Sequence, residues 1–302
     1  MSAMSFKQLK IIGLKPVILF FSGSFIIATF PPLFFKIAKI VNPELYNELL
    51  LSELWKGLVP IVGSWIGGST SQLILKELVN CSEELFMIIL VIDNLLVNIW
   101  TILMFQFIKQ SDKINNFFNL DRIKPIISDL ENNNTRITST WITIFIIIFT
   151  AFIFFIFNIP FLLKIIILSL IGLCFGNLIK FWDNKIVLKL AGFLILIIMS
   201  TLGLKLNFTT FKIPINLLII TITWLIIHYL TMIIIAYYLK IHSAWIPIAS
   251  MANLGGISTA PAVTAAYEKK WMPHAVILSI LSMVTGTVWG LFTIFLFQQL
   301  GI

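Results

Sequence analysis

Asp93 has the most chemistry to offer, because it is a carboxylate in the middle of an apolar run, 85–108. At bilayer depth such a group costs about 3 kcal/mol or more unless it faces a cavity or a partner. Its type allows two working roles, a carrier of protons or an oxygen ligand for a sodium ion. The plainer role is structural, a hydrogen-bond network with adjacent Asn94 and an opposing helix. The corresponding run in the second half has no acid. It offers Ser279, Ser282 and Thr285 instead, so any coupling through a carboxylate would be single.

Two glycine pairs form the second constellation. Gly67 and Gly68 are followed by Ser69, Thr70, Ser71 and Gln72, while Gly255 and Gly256 are preceded by Asn253 and followed by Ser258, Thr259 and Pro261. Adjacent glycines weaken a helix and free its backbone groups. At membrane depth, free backbone is tolerated only where protein buries it or it lines a wet cavity. Gly-interrupted spans at matching places in two halves point to a transporter's binding site. The freed N–H groups suit an anion and the freed carbonyls a cation. Close helix packing through small residues is the competing explanation, and would win for a single pair. Two pairs in register favour a site built from 63–72 and 251–261, crossing near the midplane. Pro261 should sharpen the second break, and the first, lacking a proline, should be milder.

The elements that position these residues are apolar blocks. With 59% hydrophobic and 11% charged residues in 302, the chain cannot be a soluble domain, whose surface would need far more polar cover. Nine blocks are expected, at 14–37, 57–76, 85–108, 138–158, 160–178, 186–204, 213–239, 245–267 and 273–298. The fold class is therefore all-α, a polytopic membrane protein of about nine spans. It is expected to hold two repeats, each with a Gly-Gly-interrupted crossing helix. Residues 1–110 make the first repeat, 111–137 a polar linker and 138–302 the second repeat. The linker's Lys113, Arg122, Lys124 and Arg136 place it on the cytoplasmic side. Trp55, Trp141, Trp182, Trp245 and Trp271 lie near block ends, where the headgroup region favours indoles. Pro31 and Pro32 should kink the first span.

The second half carries three blocks ahead of its matched region and the first carries none. A full duplication would need about seventy more residues, three spans' worth, before Met1, so a shortened chain is expected. No cleavable signal peptide is expected from the first block. The net charge of +8 comes from lysines between blocks, which suits an anionic leaflet and not nucleic acid. Cys81 and Cys174 read as free thiols, with no metal site or cofactor implied. His228 reads as a packed, hydrogen-bonded side chain, and His242 and His274 as loop or interface residues. No catalytic triad, paired-carboxylate or phosphate-loop motif is present, so an enzyme is not expected.

Three stretches carry a family resemblance: Gly63-Ser64-Trp65-Ile66-Gly67-Gly68-Ser69, Asp93-Asn94-Leu95, and Ala252-Asn253-Leu254-Gly255-Gly256-Ile257-Ser258-Thr259-Ala260-Pro261-Ala262-Val263. With them the chain resembles the YjcL-type family, domain of unknown function 819, from Phe6 to its end. That family is similar in layout to bile-acid symporters and cation/proton antiporters, which implies inverted repeats and an elevator-like transporter. Counting spans instead gives the two Gly-Gly segments one orientation, unless 138–158 or 160–178 is re-entrant. The resulting expectation is a secondary transporter in a bacterial inner membrane, moving a small solute or ion with H+ or Na+. Its partners would be the lipid bilayer, its substrate and a second copy of the chain. The rival is a non-transporting remnant or assembly partner. A lipid-handling enzyme or flippase is weaker, since no span shows a polar, lipid-facing groove.

Overall fold

The computed structural model describes residues 12–118, 120, 139–157, 159–179, 181–204 and 214–302, and these are helical. Most of the polar linker lies outside them. Four described helices are long and apolar enough to cross a membrane: α1 (Leu14–Val41), α5 (Glu83–Lys109), α10 (Ile215–Leu239) and α13 (Met272–Gln299), the last preceded by one 3-10 turn. A fifth is counted if α2 (Pro43–Leu51) and α3 (Leu54–Gly67), bent by 78° at their junction, are one span. The chain is thus a membrane protein, all-helical over the described residues. Blocks 57–76 and 245–267, expected as spans, are each two helices: α3 with α4 (Ser69–Leu78), and α11 (Trp245–Leu254) with α12 (Gly256–Ala265).

Packing groups the helices into two compact units, a division that does not follow the polar linker. One holds α7 (Thr140–Ile156), α8 (Phe161–Leu178) and α9 (Asn184–Leu204). Within it Asp183 accepts hydrogen bonds from Thr140 Oγ1 at 2.8 Å and from the backbone N–H groups of Lys185 and Ile186 at the start of α9. Those bonds, the Thr140 hydroxyl first, hold its carboxyl below the usual range.

The other unit contains both glycine pairs, and there each broken segment doubles back. Gly63 on α3 lies against α4: a Cβ added there would come within 2.7 Å of Leu75 Cδ1 and 2.8 Å of the Ser71 carbonyl oxygen. Residues twelve apart in an unbroken helix would be about 18 Å apart, so α4 returns along α3. The two ends agree, because Cys81, just past α4, feels the charges of Lys76, Lys56 and Glu53. Likewise His242, before α11, and Tyr267, after α12, have ring centroids 5.6 Å apart, and Trp245 stacks on Trp271 at 5.7 Å. Both segments are helical hairpins. A hydropathy window cannot tell two ten-residue legs from one twenty-residue span, which is why each read as a span.

The hairpins enter from opposite ends of the unit. At the Cys81 end, Trp55 at the base of the first hairpin packs on Phe297 of α13, with ring centroids 5.5 Å apart. Phe35 near the end of α1 packs on the same ring, and Asn216 at the start of α10 donates to Glu48 of α2 at 2.9 Å. At the other end, Ser243 beside the second hairpin donates from its N–H to Asn115 of α6 (Ser111–Phe118), just past α5. The order span, hairpin, span therefore occurs twice, as α1, α3–α4, α5 and as α10, α11–α12, α13, run in opposite directions. Pro31 and Pro32 leave α1 a single helix. Pro32 deprives the Ala28 carbonyl of its N–H partner, and Thr293 Oγ1 replaces it at 2.8 Å.

Candidate functional site

The site is built where the hairpin tips meet, about midway along α13. Each tip turns on a glycine with positive φ, 74° at Gly68 and 62° at Gly256, a conformation that L side chains seldom adopt. Pro261 lies buried inside α12, away from the turn, so the second segment breaks at its glycines and not at the proline. Ser282 of α13 ties the two tips together. Its one hydroxyl hydrogen can go to the Ile66 carbonyl, just before the first break, or turn to Asn253 Oδ1, just before the second, at 3.4 Å. One turn on, Gly286 lies flat against Gly67, so close that a Cβ on Gly286 would collide with the Gly67 backbone. Next to it the Ser71 and Thr287 hydroxyls are 3.0 Å apart.

Asp93 grips both legs of the first hairpin. It is 5% exposed. Its carboxylate accepts from Ser64 Oγ, from Trp65 Nε1 at 2.7 Å and from Gln72 Nε2 at 3.1 Å. Ser64 and Trp65 precede the break and Gln72 follows it, so one side chain on α5 bridges the gap that Gly68 opens. A buried anion with three donors is satisfied without a countercharge. Asn94 does not join it. That side chain points outward and donates to the Leu90 carbonyl oxygen at 2.7 Å, because one residue on a helix turns it 100° away.

The second hairpin is held by amides, hydroxyls and an imidazole, with no carboxylate among them. Asn253, 2% exposed, accepts from Ser24 Oγ at 2.9 Å and donates to the Phe20 carbonyl oxygen at 3.3 Å, both on α1. Further down the same leg, Ser250 takes a hydrogen bond from Trp100 Nε1 at 3.0 Å and lies 3.2 Å from His228 Nε2. The other ring nitrogen of His228 is 3.3 Å from the Gly23 carbonyl oxygen. His228 is thus fully buried and hydrogen-bonded, a packed side chain.

Of the sequence-derived candidates, Gly67, Ser71, Gly255, Asn253 and Asp93 lie at or against the joined tips. Gly68 and Gly256 have open space where a side chain would go, and Ser69 and Thr259 are half-buried. Thr70 and Ser258 are exposed. Each return helix starts on a glycine with no side-chain cap, leaving its first N–H groups free of side-chain partners. Sequence reasoning named Gln72 and Ser282 and enclosed Ser64 and Trp65 in the segment 63–72, but gave none of the four a partner, and it left out Gly286. The small residues four apart, Gly63 with Gly67 and Gly286 with Gly290, were the available signal of close helix approach.

A family model described as a protein of unknown function, DUF819, matches residues 4–300. The chain belongs to the DUF819 family. No curated protein and no solved structure matches it. Among the described residues of this DUF819 protein, no cluster of three or more His, Cys, Asp or Glu side chains is placed to hold a metal ion.

Proposed function

We propose that this DUF819 protein is a secondary transporter that carries a small solute or ion past the joined hairpin tips, coupled to H+ or Na+ at Asp93. One observation carries the reading. Two hairpins entering from opposite ends place their uncapped, glycine-broken tips against the same turn of α13. A site reached from both ends at mid-depth suits alternating access, in which one gate opens while the other stays shut. On this reading the two span–hairpin–span triplets are copies of one repeat in inverted orientation, and α3–α4 and α11–α12 are its re-entrant segments. The end that carries Lys109, Lys113, Lys240, Lys269 and Lys270 faces the cytoplasm.

The test is uptake into liposomes holding the purified full chain, with candidate solutes offered under imposed proton or sodium gradients. Gradient-driven uptake that disappears in Asp93→Asn is the expected result. Uptake that stays ion-driven in that variant removes Asp93 from the mechanism, and the absence of any gradient-driven flux across a broad solute panel rejects the transporter.

A further inference from the structure

We infer that the coupling species at Asp93 is a proton and not a sodium ion, a step that rests on the transporter reading above. The three side chains bonded to the carboxylate give hydrogen and offer little oxygen. The Trp65 indole N–H is a donor only and cannot ligate a cation, yet it occupies Oδ1 at 2.7 Å. Gln72 presents Nε2 to Oδ2 at 3.1 Å, and only the Ser64 hydroxyl keeps lone pairs to share. A hard cation needs several converging oxygens, and the side chains bonded to Asp93 do not supply them.

A proton needs one acceptor. It adds to Oδ2, converting carboxylate to carboxylic acid, and no other covalent bond changes. The new O–H donates to Ser64 Oγ, whose own hydrogen turns to the Pro60 carbonyl one turn back, a bond that helical serines commonly make. Trp65 goes on donating to Oδ1. Gln72 is the loser, because the oxygen it donated to is now neutral and committed to Ser64. The ionised form therefore grips both legs of the first hairpin, and the protonated form keeps only the α3 leg. Protonation loosens α4 from α5, which links the coupling proton to movement of one gate.

Among the described residues, no other titratable side chain is bonded to Asp93. On α3, α4, α5 and α6 the ionisable residues are Lys56, Lys76, Glu77, Glu83, Glu84, Lys109, Asp112 and Lys113, all at helix ends. The legs α11 and α12, also packed on α5, contain none at all. The charge state of this site is set by its own proton.

The experiment is pH-difference infrared spectroscopy of the full chain in liposomes, in NaCl or in choline chloride at equal ionic strength. A protonated-carboxyl band should grow in on acidification, be missing in Asp93→Asn, and be the same in both salts. Trp65→Phe keeps the carboxyl but removes one of its donors, so it should shift the frequency of that band. This identifies the band as Asp93 even if Asp93→Asn does not fold. An Asp93 band that NaCl suppresses or moves at constant pH overturns the proposal, as does the absence of any such band over the pH range where the protein stays folded. A salt-independent band in a protein with no uptake leaves the proton site standing and sinks the transporter reading. Gradient-driven uptake with a sodium-sensitive band does the reverse.

Discussion

The two hairpins share their placement and differ in what holds them. The first is gripped by a charge, Asp93, whose three donors span the break. The second is held by amides, hydroxyls and a packed imidazole: Asn253, Ser24, Ser250 and His228. The amides and hydroxyls do not titrate and the His228 ring is packed with no exposed surface, whereas protonation of the carboxylate removes the charge that the first network is built around. The comparison assigns the switch to the first hairpin and the fixed scaffold to the second. It also predicts that matched substitutions will have unmatched consequences.

The largest difference is expected from removing the central group of each network. Asp93→Leu strands the Trp65 indole N–H, the Gln72 amide and the Ser64 hydroxyl in the protein interior, and should destabilise by about 4 kcal/mol. Asn253→Leu should cost about half as much, since Ser24 can fall back on the Phe20 carbonyl at 3.2 Å and Ser282 on that of Ile66. Thermal or urea unfolding of the purified chain in detergent measures both. Equal losses would mean that the charge makes no difference to how the hairpins are held.

Next in size is the contact between Gly286 and Gly67. Gly286→Ala drives a methyl group into backbone that cannot move aside, with a loss of about 3 kcal/mol. Gly256→Ala meets open space, and its penalty is only that of the positive φ, about 1 kcal/mol. If the two variants proved equally stable, the close approach of α13 to the first tip would be wrong.

Much of this could be read from residue types alone. The glycine pairs announced the breaks, and Asp93 announced itself by its cost in an apolar run. What could not be read was direction. A leg that turns back and a span that continues have the same hydropathy, and only the positive φ at Gly68 and Gly256 separates them. Nor could the sequence say that Asn94 faces away while Ser64, Trp65 and Gln72 converge on Asp93. Those contacts join residues 21 to 29 positions apart through a turn whose geometry was not known beforehand. Ser282 was visible as a hydroxyl in a greasy helix, but its reach to either tip depends on the hairpins meeting there.

A smaller effect is expected at that shared point. Ser282→Ala removes one hydroxyl that serves both tips, with a loss of about 1 kcal/mol. Because that one hydrogen can serve either hairpin, its removal should depart from additivity with both Asp93→Leu and Asn253→Leu, giving non-zero coupling in each double-mutant cycle. Coupling to one hairpin alone would show that Ser282 does not join them.

The smallest effect is a rate at the base of the first hairpin. Cys81 is 4% exposed, and burial pushes its thiol from 9.0 up to about 12, although Lys76 and Lys56 pull the other way. The thiolate is the nucleophile, so alkylation by a maleimide should stay slow at pH 8 and rise only well above pH 9. The same shift costs stability between pH 9 and 12, where the unfolded thiol ionises and the folded one does not. Loosening the first hairpin should open this base and loosening the second should not. Asp93→Asn is therefore expected to speed Cys81 alkylation several-fold at fixed pH, and Asn253→Leu to leave it unchanged. Equal acceleration by both would mean that the hairpins yield together, and the division into a switch and a scaffold would have to be given up.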